Sequence, residues 1–324
     1  MPRDTLIAIG AGLASALASM AFAGGFPFAI VLVYLAPFPL IMAGLGLGFR
    51  ATLIAALAGF VSTGVFGGPT SAAIFGIVHA LPSLITVNLA LKSAPAQQDG
   101  TNGGVVWYPA GYIAAAIAML GACLLIAAAI VTASGQGLSG LLSAHLGAAM
   151  KIMAPAMPEE SRRAMADALV PLFPGAVVSS WAIMAVVNGA LAQGALVRAG
   201  RNLRPSPSYT GTDMPGWLSW PLVGAATIAL AGMVTGQTGW EYVGRNLAMV
   251  VAVPYFLLGL AVVHTLARRV ARTGPLLMAF YMVIVVSIWA ALVIAAVGVA
   301  EQWFGIRNRQ TQTPPGGGDD EDED

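Results

Sequence analysis

Residues 108–133, YPAGYIAAAIAMLGACLLIAAAIVTA, pass 26 positions without a single Asp, Glu, Lys or Arg. At about 1.5 Å of rise per residue, a helix of that length crosses the roughly 30 Å hydrocarbon core of a bilayer. Apolar runs recur at roughly 5–23, 27–47, 51–66, 71–92, 108–133, 170–196, 217–235, 244–266 and 275–299. A backbone in lipid must satisfy its own polar groups, as a helix or as a closed barrel. The two-residue alternation of barrel strands is absent. The pattern predicts an all-α, polytopic transmembrane helix bundle of nine spans, or eight if one run does not cross.

Composition agrees, with 58% hydrophobic and only 9% charged residues and a mean hydropathy of +0.81, outside the range of soluble domains. A formal net charge of +1, with arginines scattered through short loops, provides no basic face for nucleic acid. The single cysteine, Cys123, lies within an Ala-rich span and reads as a packing residue.

The N-terminus, MPRDTLIAIGAGLASALASMAFAGG, imitates a secretory signal peptide. Its long apolar run and the spacing of Ala11, Ser15 and Ser19, and of Ala14 and Ala18, favour a retained span. Between the fifth and sixth runs, residues 134–169 form an amphipathic interfacial loop. Leu138, Leu141, Leu142, Leu146, Ala149, Ile152 and Met153 share one helical face. The segment PEESRRAMADAL opens on proline and two glutamates, as a helix N-terminus favours. Residues 1–305 are thus read as one transmembrane domain and 306–324 as a disordered acidic tail.

Lys and Arg in the loops set the expected orientation. A cytoplasmic N-terminus, in a bacterial inner membrane, places Arg3, Arg50, Lys92, Arg198, Arg201, Arg204, Arg268, Arg269 and Arg272 inside. Nine spans would then send Arg307 and Arg309 outside, which argues for eight or for an external tail.

No Asp or Glu lies near the middle of any run, which disfavours ion-coupled carriers, and no mid-span arginine marks a voltage sensor. The polar residues deep in spans are neutral. His79, Ser83 and Thr86 form one stripe beside Pro82, and Trp181, Met184 and Asn188 share a face near Ser180. Two readings stand. These side chains hydrogen-bond neighbouring helices, or His79, Ser83, Thr86, Trp181 and Asn188 line a shared cavity for a small neutral or zwitterionic solute. His145 reads as a surface residue, and three histidines on three separate segments argue against a metal site.

Small residues mark close packing: Gly44 and Gly48 form a GxxxG pair, and Ala51, Ala55, Gly59 and Thr63 a small face on the third run. Pro37 and Pro39 are expected to kink or interrupt the second run. In the eighth run, Asn246 and His264 stand five turns apart, about 27 Å along the axis, and cannot form one site. Pro254 reads as a kink and Gly259 as a close-approach position.

The segments VVNGALAQGALVRAGRNLRPSP, MPGWLSWPL, GRNLAMVVAVPYFLLGLAVVH and GVAEQWFGIRNR resemble the YybS-like family of bacterial membrane proteins, domain of unknown function 2232. Asn246, His264, Trp303 and Arg307, with Gly298, carry the signature. The resemblance implies a distant kinship with the substrate-binding S components of energy-coupling-factor transporters. It also implies a small-residue face on the first helix, Ala14 and Ala18 or Gly12 and Ala16, that docks a transmembrane coupling subunit.

With no Walker A loop and no ion-coupling carboxylate, the chain reads as a binding or transport subunit for a small vitamin-like solute. The alternative is an envelope scaffold contacting proteins or lipid headgroups through its basic loops and acidic tail. No catalytic constellation and no cofactor motif is visible, so enzymatic activity is not expected.

Overall fold

A computed structural model describes residues 2–21, 28–95, 104–208, 211–268 and 272–307. Arg269 and residues 308–324 lie outside them, and of the acidic tail expected over 306–324 the first two residues, Ile306 and Arg307, are ordered. Helices α1 (Arg3–Met20), α2 (Ala29–Leu35), α3 (Pro37–Leu47) and α4 (Phe49–Phe75) are followed by a π-helical turn, Gly76–Ala80, and α5 (Leu81–Ala90). A small exposed hairpin pairs β1 (Ser93–Pro95) antiparallel with β2 (Val105–Trp107). Then come α6 (Ala110–Thr132), α7 (Gly137–Met153), α8 (Glu159–Leu169), α9 (Phe173–Arg198), α10 (Ser219–Thr235), α11 (Thr238–Ala267), α12 (Thr273–Val286) and α13 (Ile288–Phe304).

Six helical segments among the described residues are long and apolar enough to cross a membrane, and seven if the bent pair α12 and α13 is one span. One of them, Phe49–Ala90, counts 42 residues, about 63 Å if straight. It is not straight. Gly68 adopts φ +81°, ψ 176°, outside the helical region, and Pro69 follows it. Gly64 faces Ala72, Gly59 faces Phe75 and Gly76 faces Phe60, so each pair is centred near residue 68 and the two limbs run antiparallel. The segment is a helical hairpin, broken between the runs 51–66 and 71–92.

The structure corrects one of three expected features, the run 275–299. Helix α1 holds Arg3 and Asp4 in its first turn and is not among the six segments. The run 275–299 is not a continuous span, because Ser287 is extended (φ −126°, ψ 112°) and the chain bends there by 114°. Stiff β-branched residues, Val283 to Val286, lead into that break, and no residue of α12 is buried to hold it straight. The second run is divided at its first proline, α2 ending before Ala36 and α3 starting at Pro37, and the two pieces still count as one 19-residue segment. Ala36 stays helical, and the Val33 carbonyl, whose donor would be Pro37, takes the Ala36 N–H at 3.2 Å. The expected helices of the 134–169 loop form, with Pro158 before Glu159 and Glu160 as the start of α8.

Packing rests on close backbone approach. A Cβ at Gly12 would overlap the Ala55 carbonyl, one at Gly44 would overlap Thr52 and Val87, and one at Gly59 would overlap the Phe75 ring. Gly12 and Ala16 are therefore buried against α4 and do not form an outward docking face, whereas Ala14 is exposed. Gly48 is not a packing position either: nothing approaches it, and its φ of +98° makes the turn from α3 to α4. Helices α11 and α13 meet where Gly259 faces the Ile294 carbonyl and Gly298 the Tyr255 carbonyl. The largest cluster of buried side chains joins α6, α10 and α11 around Leu218, Val250, Tyr255 and Leu258.

Candidate functional site

On α9, Trp181 and the Nδ2 group of Asn188 are spent on neighbouring backbone, while the buried Asn188 Oδ1 has no hydrogen-bond partner. Pro82 has no N–H to give the Val78 carbonyl four residues earlier, and the Trp181 indole N–H donates to that oxygen at 2.8 Å. Asn188 donates through Nδ2 to the carbonyls of Tyr34 at 2.7 Å and Met184 at 2.8 Å, while the Tyr34 and Ser180 hydroxyls share a 2.6 Å hydrogen bond. The polar face of α9 thus ties α2 and the π-helical turn into the bundle. Ser83 turns inward on its own helix, donating to the His79 carbonyl at 2.6 Å.

His79 differs. It is 2% exposed, its ring leans on Phe75 with centroids 5.7 Å apart, and its Nδ1 is buried without a hydrogen-bond partner. It lines a cleft of about 300 Å³ with Ser19, Thr63, Phe66 and Ser71, between the end of α1 and the hairpin. Each hydroxyl there donates to its own helix, Ser19 to Ala16, Thr63 to Gly59 and Ser71 to Gly67. That leaves their oxygens able to accept. The cleft is therefore amphipathic, with an imidazole and three hydroxyls on walls of Met20, Ile74 and Phe75.

Thr86, on the same stripe as His79, opens elsewhere, into a cavity of about 80 Å³ that it shares with Leu45, Ile113 and Gln193. The Thr86 Oγ1 and Gln193 Oε1 atoms are buried there without partners. The five residues grouped from sequence do not converge: His79 and Thr86 face separate cavities, and Ser83, Trp181 and Asn188 hold helices.

Arg204, grouped from sequence with exposed loop arginines, is buried. Its Nη1 donates to the Ala90 carbonyl at 2.9 Å and the Tyr108 carbonyl at 3.3 Å, and its guanidinium lies 5.7 Å from the Trp107 ring centre. Gln193 donates to its carbonyl at 2.8 Å. This clamp joins the end of α5, the β-hairpin and the end of α9. Nothing in the local sequence separates Arg204 from Arg198 and Arg201.

The signature residues form two further clamps. Asn246, wholly buried, accepts the Gly175 N–H at 2.7 Å and donates to the carbonyls of Pro171 at 3.0 Å and Tyr242 at 2.8 Å. At the other clamp, buried Glu301 accepts the Arg307 Nε at 2.6 Å and its backbone N–H at 3.1 Å, and Arg307 reaches the Thr212 carbonyl at 3.0 Å. Trp303 Nε1 and the Tyr255 hydroxyl both donate to the Ser219 hydroxyl, each at 3.3 Å. Gln302 donates to the Pro215 carbonyl at 3.1 Å. Segments distant in sequence, MPGWLSWPL and GVAEQWFGIRNR, thus meet in one place.

A family model described as "Predicted membrane protein (DUF2232)" matches residues 13–301. The chain belongs to that family. No curated protein and no solved structure matches it. In this DUF2232 protein the segments read from sequence as a signature close helix ends and seat α13 on α10 and α11, and Trp303 and Arg307 lie just beyond the matched residues. Among the described residues, no three His, Cys, Asp or Glu side chains are placed to hold a metal ion.

Proposed function

We propose that this DUF2232 protein is a membrane-embedded binding subunit for a small neutral or zwitterionic solute, held in the cleft beside His79. One observation carries the reading: the His79 Nδ1 is buried in a span, without a hydrogen bond, at a cleft of about 300 Å³. An unsatisfied buried polar group costs about 1–3 kcal/mol, and a solute that hydrogen-bonds the ring would recover it. Ser19, Thr63 and Ser71 would accept hydrogen bonds from its polar groups, and Phe75 would cover an apolar face.

The proposal extends to topology. Counting the hairpin limbs separately and adding α1 gives eight spans from a cytoplasmic N-terminus in a bacterial inner membrane. The bent pair α12 and α13 then stays at the cytoplasmic side, which keeps Arg307 inside with Arg50, Lys92, Arg198 and Arg268 and satisfies the charge rule. Energy for transport would come from a separate coupling subunit, as the S-component resemblance implies. With Gly12 and Ala16 buried, Ala14 and Ala18 are the pair of the two left to meet it.

A scaffold role is favoured by a different observation, the exposure of Arg198, Arg201, Arg268 and Arg272, which suits protein or headgroup contacts. Purification in mild detergent followed by mass spectrometry of released small molecules separates the two readings. A metabolite retained by wild type and lost in His79→Leu supports the binding subunit. Absence of any metabolite, or one that survives His79→Leu in a folded protein, overturns it.

A further inference from the structure

A second cleft, of about 410 Å³, lies at the far end of α11, where His264, Arg268, Tyr281 and Thr212 border an apolar floor that includes Leu257 and Leu260. It is separate from the His79 cleft, and neither the family match nor the solute-binding reading assigns it a role. We propose that this cleft binds an anionic phospholipid of the surrounding membrane, its phosphate on Arg268 and one acyl chain on the apolar floor.

The lining sorts into two chemistries. Arg268 brings the charge: it is exposed at the end of α11 and pairs with no carboxylate among the described residues. A guanidinium offers two parallel N–H donors that match a phosphate, and a strongly hydrated ammonium does not. Beside it, His264 Nδ1 lies 2.8 Å from the Leu260 carbonyl, an acceptor, so Nδ1 carries the proton. Nε2 then accepts the Tyr281 hydroxyl at 3.3 Å. That pair fixes Tyr281, the polar contact of α12 with this rim, and leaves the phenolic oxygen able to accept from glycerol hydroxyls.

The floor is made of side chains that lipid tails suit. The wall that α12 contributes continues into a surface with Met278, Met282, Val285 and Val286 exposed at 56–88% together with Val283, which an aqueous face would not favour. A cationic rim over an apolar trough, open toward a lipid-facing helix, fits a molecule with one anionic head and an apolar tail. A free phosphate would use the rim and leave the trough empty. Basic residues beside a cytoplasmic membrane surface each strengthen anionic lipid binding about fivefold.

The test uses the full chain, delipidated in detergent, and follows thermal unfolding while lipid or salt is titrated in. Phosphatidylglycerol is expected to raise Tm where phosphatidylcholine does not. Its half-maximal concentration should rise about fivefold or more in Arg268→Gln and stay unchanged in Arg272→Gln, a neighbour outside the cleft. Leu260→Trp, which fills the floor, should abolish the shift. If Arg268→Gln fails to fold, Arg268→Lys serves instead, and the proposal requires it to bind more weakly than wild type. Inorganic phosphate giving the same Tm rise would show a free-anion site and overturn the proposal. So would equal stabilisation by phosphatidylcholine, or an Arg272→Gln loss as large as that of Arg268→Gln.

Discussion

The Asn246 side chain reaches across 71 residues of sequence to accept the N–H of Gly175 at 2.7 Å. That N–H belongs to the first turn of α9, where intrahelical acceptors are missing. The same amide returns two hydrogen bonds to carbonyls, so one neutral residue closes the start of one helix from the side of another. Tyr242 adds a hydrogen bond to the Val170 carbonyl at 3.0 Å and Arg245 one to Pro171 at 3.3 Å.

Asn246→Ala therefore leaves the buried Gly175 N–H without its acceptor and removes one donor from each of the Pro171 and Tyr242 carbonyls. It is expected to lower stability by about 2 kcal/mol. Asn246→Asp keeps the acceptor for Gly175 and loses both donors while adding a buried charge, so it should be at least as damaging. Thermal unfolding in detergent measures both, and wild-type Tm values for the two variants would show that the clamp contributes nothing.

Trp181 and Pro82 make a paired prediction. Trp181→Phe removes the donor to the Val78 carbonyl and should cost about 0.6 kcal/mol, the usual worth of a hydrogen bond between spans. In a Pro82→Ala background residue 82 regains an N–H for that carbonyl, and the same substitution should cost less. A double-mutant cycle reads the coupling directly. Strict additivity would mean that the indole is held by packing alone.

The helical membrane fold was legible because hydrocarbon permits so few backbone solutions that length and hydropathy nearly decide them. The hairpin was legible for the same reason, since Gly68 and Pro69 separate two apolar runs. What sequence could not assign was the partner of each polar side chain. Asn188 and Trp181 look like a ligand-binding stripe, yet they serve carbonyls of Tyr34 and Val78, more than 100 residues away in sequence. Arg204 and Arg201 are three residues apart and alike in composition of their surroundings, and only the fold buries one of them. His79 stood out for its depth in a span, and its unpaired ring nitrogen needed the tertiary structure to appear.

Gly259 and Gly298 define a third prediction. A Cβ at either would overlap a backbone carbonyl oxygen of the partner helix, Ile294 or Tyr255, which cannot rotate away as a side chain would. Gly259→Ala and Gly298→Ala should each push α13 from α11 and cost about 1–3 kcal/mol. Gly224→Ala, on α10 with nothing near it, should leave Tm unchanged. Equal Tm values for all three variants would contradict the close helix contact.

Helix α8 carries the pH-dependent prediction. Arg163 donates to Glu159 at 2.5 Å one turn away, and that hydrogen bond, with the charge of Arg163 and of Lys151, holds the Glu159 carboxyl below its ordinary range. A depressed folded value means that the stabilising contribution is complete above the unfolded glutamate pKa, about 4.3, and is lost as pH falls through the lower folded midpoint. The pair is exposed, so the contribution to global stability should be negligible, and the midpoint itself is the quantity to follow. NMR titration of the Glu159 side chain should give a midpoint below that of a free glutamate. Arg163→Ala should move it upward, and about 1 M salt, whose Debye length is only about 3 Å, should move it the same way. A midpoint indifferent to both would show that Arg163 and Glu159 do not pair in solution.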